Sequence, residues 1–281
     1  IENVMARDPD NVMANHLCLH LYDFASDRAP ARACAQRLDA AVLPPEGEHL
    51  AHMPAHYWIE TGHYAAALAS SERAYHLFVQ LQKTPGRDPD HDRYLPHDVY
   101  VGYSAAMMSS DYDAARTWSQ RMNETYGSSY DALTALRFGR YVNAFALAGD
   151  TTTPTQLAVR GLAAIALNDD ASARDAAARL RKLTTYGDVV QIFFGTLAQH
   201  EGRYDEAARW IDRAVETQSG TFAAELIPLL PALEVRGTLA FQRAAYDDAE
   251  AAFRAALAVY PNDPRAQAGL AAARAASRRN P

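Results

Sequence analysis

The turn G-x-Y-x-x-A recurs along this chain, as Gly62-His63-Tyr64 through Ala67 and again as Gly202-Arg203-Tyr204 through Ala207, each time between amphipathic, Ala-rich stretches. A glycine at the turn, an aromatic residue after it and small residues at helical spacing let two antiparallel helices pack closely, so the recurrence predicts a tandem array of helical hairpins. Such units cannot bury their apolar faces alone and must stack on their neighbours. No alternating pattern of the strand type persists, and an all-α fold follows. The clearest unit runs from Leu230 to Pro261 and carries Leu233, Gly237, Tyr246, Ala249, Phe253, Ala256 and Pro261. Earlier copies carry Gly195, Ala207 and Ala214, then Gly161, Ala173 and Leu180, then Tyr64, Ala67 and Ala74, and then Tyr112 and Ala115.

At these spacings the residues resemble the tetratricopeptide repeat, a helix-turn-helix unit of roughly 34 residues. The resemblance implies a right-handed α-solenoid. First helices are expected near Val12, Glu48, Pro96, Pro154, Asp188 and Leu230, with a degenerate unit through Gly139-Arg140-Tyr141 and a capping helix from Pro264 to Ser277. Ile1 to Ala6 reads as the second helix of a unit whose first helix would precede it. Two connections, Lys83 to Leu95 and Glu216 to Leu229, interrupt the period and are of a length used either for loose insertions or for lids and binding loops. The repeat resumes on both sides, so residues 1–281 are expected to form one array: histidine-rich repeats over 1–125, further repeats and the cap over 126–281.

The formal net charge of −7 and the lack of a basic stripe interleaved with aromatics argue against nucleic acid as a partner. No stretch reaches the length of a membrane span, and no basic leader with an apolar core is present. Cys18 and Cys34 fall on apolar helical faces, where buried free thiols are expected, compatible with a reducing, cytoplasmic setting. Oligomeric state is left open.

Nine of the ten histidines lie at or before His97. On a helix, His49, His52, His56, Glu60 and His63 fall within roughly 80° of one another, which makes a polar stripe unsuited to a core. The repeat frame sharpens this. His16 and His20 take the fifth and ninth places counted from Val12, and His52 and His56 take the same places counted from Glu48. An i, i+4 pair of imidazoles on one face can chelate one ion, and two pairs on neighbouring helices are expected to converge on a single metal. Pro54 either kinks this helix or marks its start, in which case His49 and His52 would lie in a loop.

In tetratricopeptide proteins the second, fifth, ninth, twelfth and thirteenth places of the first helix line a concave groove. Carried over, this implies groove positions for His49, His52, His56, Ile59 and Glu60, for Met13, His16, His20, Asp23 and Phe24, and for His97, Tyr100 and Ser104. The expected metal ligands are therefore His16, His20, His49, His52, His56, His97 and Glu60. Asp23, Tyr100, Tyr57 and Trp58 are expected to shape a substrate pocket, although packing is an alternative role for the aromatics. His63, His76, His91 and His200 read as ordinary surface histidines. The segments NHLCLH, HLAHMPAH and PHD also resemble the NH-x-x-x-H, H-x-x-HMP-x-H and PH[ND] motifs of a group of bacterial tetratricopeptide proteins, over about the first hundred residues.

Imidazole ligation without thiolate suits copper, iron, zinc or nickel; copper or iron is favoured here and zinc is possible. Three functions follow. The first is a metal-dependent oxidoreductase or oxygenase acting on a small molecule or peptide in the groove. The second is a non-enzymatic adaptor that binds a peptide or protein there, and the third a metal-dependent hydrolase.

Overall fold

A computed structural model of the chain describes residues 1–23, 25, 27–88, 93–220 and 229–279. Phe24, Pro89 and His91, with residues 221–228 of the second long connection, lie outside the described residues. Among the described residues sixteen α-helices follow one another and no strand occurs. The fold is all-α and solenoid-like: within each of two compact units, helices adjacent in sequence pack on one another. The first unit is built on the described residues within 1–128 and the second on residues 129–220 and 229–279.

The first unit comprises α1 (Glu2–Arg7), α2 (Val12–Tyr22), α3 (Arg32–Ala40), α4 (Glu48–Glu60), α5 (Tyr64–Leu81), α6 (Leu95–Met108) and α7 (Tyr112–Tyr126). Local chemistry sets these bounds. Asn11 caps α2 by accepting from Ala14 N at 3.0 Å, and the buried Asn15 side chain donates to the carbonyls of Pro9 and Asn11. Pro96 sits in the first turn of α6, where its missing N–H costs nothing. Between α4 and α5, Gly62 adopts φ 73°, and the next residue, His63, donates its N–H to Trp58 O at 2.7 Å. This left-handed turn is the structural content of the G-x-Y signature. Close helix approach explains another glycine: a Cβ on Gly102 would stand 2.3 Å from the Trp118 ring, so α6 and α7 can meet only because that side chain is absent.

α4 contacts α2, α3, α5 and α6. It is therefore covered on nearly every side, and residues 51–59 are all buried. The C-terminal end of α3 locks it in place. Asp39 accepts from Trp58 Nε1 of α4 and from Ser70 Oγ of α5, both at 2.7 Å, while the Arg73 guanidinium donates to the carbonyls of Leu38, Asp39 and Ala41. A cation on the last carbonyls of a helix both satisfies them and offsets the dipole. Helix α4 runs through Pro54 without a break, so His49 and His52 are helical and the alternative of a helix start at Pro54 is set aside.

One expectation is overturned outright. Cys18 and Cys34 are not free thiols but form a disulfide between α2 and α3, with Cα atoms 6.3 Å apart. Two apolar faces of one hairpin face each other, so two cysteines that look like independent core residues along the chain meet across the interface.

The second unit comprises α8 (Asp131–Arg137), α9 (Tyr141–Ala148), α10 (Pro154–Ala166), α11 (Asp170–Leu180), α12 (Asp188–His200), α13 (Tyr204–Gly220), α14 (Ala232–Gln242), α15 (Tyr246–Val259) and α16 (Pro264–Ser277). Its core contains Phe193, Ile192, Leu180, Ile211 and Phe253. Arg137 of α8 pairs with Glu234 of α14 at 2.6 Å beside the buried Asp263, which caps α16. Helix α13 continues to Gly220, so the first residues of the expected Glu216–Leu229 loop are helical, and α14 starts at Ala232 rather than Leu230. Among the described residues no helix is long and apolar enough to cross a membrane.

Candidate metal centre

The six histidines singled out above all lie in the first unit and form two groups of three, His16, His20 and His49, and His52, His56 and His97. Within each group the nearest ligand atoms all lie within 4.8 Å of one another. The expected partition, in which His16 and His20 join His52 and His56 on one ion, does not match this arrangement. Each i, i+4 pair is instead closed by a histidine from the first turn of the next helix in the stack: His49 of α4 joins the α2 pair, and His97 of α6 joins the α4 pair. The reason is a stagger between helices, which sets the second place of one helix beside the fifth and ninth places of the helix before it.

The inner group is the more enclosed. His52 Nε2 lies 2.8 Å from His56 Nε2, which lies 3.1 Å from His97 Nε2. His52 is fully buried and His56 nearly so. A ring nitrogen carries either one proton or one in-plane lone pair, so His56 Nε2 cannot serve both neighbours well by hydrogen bonding. Three lone pairs turned toward one point suit a cation better. Metal–nitrogen bonds of about 2.0–2.1 Å at tetrahedral angles place ligand nitrogens ~3.3 Å apart, close to the spacing seen here. His52 Nδ1 is buried without a hydrogen-bond partner. Burial, reinforced by His56, His97 and His49, pushes the His52 imidazole well below its ordinary range, so it is held neutral, as ligation requires.

The outer group is wetter. His20 Nε2 lies 3.0 Å from His16 Nε2, and the other nitrogen of His20, Nδ1, lies 3.1 Å from Asp23 Oδ2. A carboxylate on Nδ1 fixes the tautomer and turns the Nε2 lone pair toward His16. The His49 ring meets the His16 ring edge-on at 5.4 Å and lies under Tyr94, stacked at 4.4 Å. Its Nδ1 is buried and unpartnered. Burial first, then the neighbouring His16, His97 and His20 and the Arg93 guanidinium, bring His49 down to about 4. His16 is lowered for the same two kinds of reason, burial and His20.

The remaining expected residues are placed as follows. Glu60 stands outside both groups, in an ion pair with Arg28 Nε at 2.6 Å, and burial pushes it up to about 7 despite that guanidinium. Asp23 is in place against His20. Tyr100 lies half-buried on α6. Tyr57 and Trp58 are buried in the core of the unit, Trp58 bound to Asp39. His63 and His76 are exposed, and His200 pairs with Asp170 at 2.8 Å in the second unit.

Two neighbours escaped the sequence reading. Asp98 of α6 lies 3.5 Å from His52 Nε2, and burial together with Glu48 holds its carboxyl well above the usual range. The PHD segment contains it, but the groove positions of the repeat mark only its histidine. Tyr94 precedes α6 and no motif covers it. Comparison with protein-family models gives no match, and a search of curated proteins gives none either.

Proposed function

We propose that this chain is a metal-binding helical-repeat protein of the tetratricopeptide kind, in which His52, His56 and His97 hold a transition-metal ion that serves oxidation–reduction chemistry. The observation that carries the reading is the convergence of three Nε2 atoms in a buried setting that keeps His52 neutral. An all-imidazole set with no thiolate suits copper, iron, nickel or zinc, and a redox role selects copper or iron among them. Bound there, the ion would supply redox or Lewis-acid chemistry, and three protein ligands leave a coordination position for substrate.

Redox chemistry is preferred to hydrolysis. Asp98, 3.5 Å from His52 Nε2 and raised well above the usual carboxylate range by burial and Glu48, is suited to proton transfer beside the triad in either case. An adaptor role would leave three clustered imidazoles, two of them buried, without a use. The substrate is taken to be a small molecule or peptide entering beside α4 and α6. The Cys18–Cys34 bond favours an oxidising compartment over the cytoplasm expected from the sequence.

Elemental analysis of protein purified without chelator, with cyclic voltammetry of the metal-loaded form, tests this. Stoichiometric copper or iron with a reversible couple supports it. No metal retained, and none taken up on reconstitution, returns the chain to the adaptor reading.

A further inference from the structure

We propose that the chain holds two transition-metal ions, one in each histidine triad, at sites that are copies of one another displaced by a single helical repeat. This rests on the reading of the inner triad as a metal site, and the experiment below separates the failure of one from the failure of the other.

The two triads share one construction. In α2 the fifth and ninth residues are His16 and His20, and in α4 the fifth and ninth are His52 and His56. The third member comes each time from the first turn of the next helix in the stack, His49 from α4 and His97 from α6. One site therefore maps onto the other when α2 and α4 are replaced by α4 and α6. Neighbouring stacked helices lie ~8–10 Å apart, so the two ions would stand at about that separation. That is beyond the ~3.5–4 Å at which two metals share a bridging oxygen, so the two would be separate one-metal sites.

The outer triad has its own observations and does not borrow the inner one's. Asp23 at 3.1 Å from His20 Nδ1 directs Nε2 toward His16 Nε2, 3.0 Å away. His49 brings a buried Nδ1 without a hydrogen-bond partner. Tyr94 stacked on His49 and the disulfide at Cys18, between His16 and His20 in sequence, restrain the two helices that carry the ligands. Yet His20 is half-exposed whereas His52 is fully buried. The outer ion should therefore exchange faster and bind more weakly, which assigns the two ions different roles: a resident ion inside and an exchangeable one at the surface.

The test uses the full chain, stripped of metal and titrated with Cu(II) and, separately, with Zn(II). Two equivalents per chain are expected, taken up in two steps. The double variant His16→Ala, His20→Ala should bind one equivalent, the tighter, and Asp23→Asn should weaken only the second step, by roughly 10–100-fold. Electron paramagnetic resonance of the doubly loaded copper form should show dipolar broadening that the His16→Ala, His20→Ala variant lacks. A single equivalent unaffected by that variant overturns the outer site and leaves the inner one standing. One equivalent lost in both that variant and His52→Gln means a shared ion and also overturns the proposal. No uptake by any form overturns both readings. Circular dichroism of each variant confirms that the helices are retained.

Discussion

His56 and His97, 41 residues apart in sequence, bring their Nε2 atoms to 3.1 Å across the α4–α6 contact. That approach joins two repeats at a single point, and it makes α6 a structural part of the inner site. The His97→Ala variant should therefore lose the inner ion and retain the outer one, as read by elemental analysis. Unchanged metal content with lost turnover would instead assign His97 to substrate or proton handling.

Glu60 faces Arg28, not a triad. Replacing it with Gln should leave metal content and the metal's spectrum unaltered, and should lower stability, since it removes the carboxylate that pairs with a largely buried Arg28 guanidinium. A changed spectrum would place Glu60 on a metal after all.

The metal-free protein should respond to acid through His49. Its folded-state value, about 4, lies below the unfolded value of 6.5. Between these two the unfolded chain binds more protons, so stability is present above the unfolded value and is lost as pH falls through 6.5 toward 4. Because Glu60 is shifted upward and slopes the other way, the effect is isolated by comparison with His49→Gln. The difference in unfolding free energy between wild type and variant should change by on the order of 2 kcal/mol from pH 7 to pH 4, after discounting for the partly solvated ring. A flat difference would mean that His49 sits in a far wetter environment.

Reduction of Cys18–Cys34 opens a loop that closes over a separation of 16 residues. Thermal unfolding with and without a thiol reductant should differ by about 3 kcal/mol. The Cys18→Ser, Cys34→Ser double variant should show the same loss and should weaken the outer metal site, which α2 carries, before the inner one. Equal stability in both redox states would show that the bond contributes nothing to the hairpin.

Gly102→Ala would push a methyl group to 2.3 Å from the buried Trp118 ring. The substitution should destabilise the first unit by about 1–3 kcal/mol, read as a lowered unfolding midpoint in urea. A neutral effect would mean that α6 and α7 are packed less closely than they are placed here.

The helix period and the repeat alone determined much of this protein. The i, i+4 pairs His16/His20 and His52/His56 share a face because each residue turns ~100°, whatever surrounds the helix. The G-x-Y turns and the Pro96, Pro154 and Pro264 starts are set by local backbone chemistry, so the helices and the capping segment Pro264–Ser277 fall where the chain predicts them. Partners across helices were not legible in the same way. Which histidine closes each pair depends on the stagger of the next helix, and only packing decides that His49 belongs with α2 and His97 with α4. The Cys18–Cys34 bond, the capture of Glu60 by Arg28 from an irregular connection, and the position of Asp98 beside His52 are likewise long-range facts. Helical periodicity orders residues along one helix. It carries no information about the rotation and rise of a neighbour, and those two quantities are set by how the buried side chains of α2, α4 and α6 fit together.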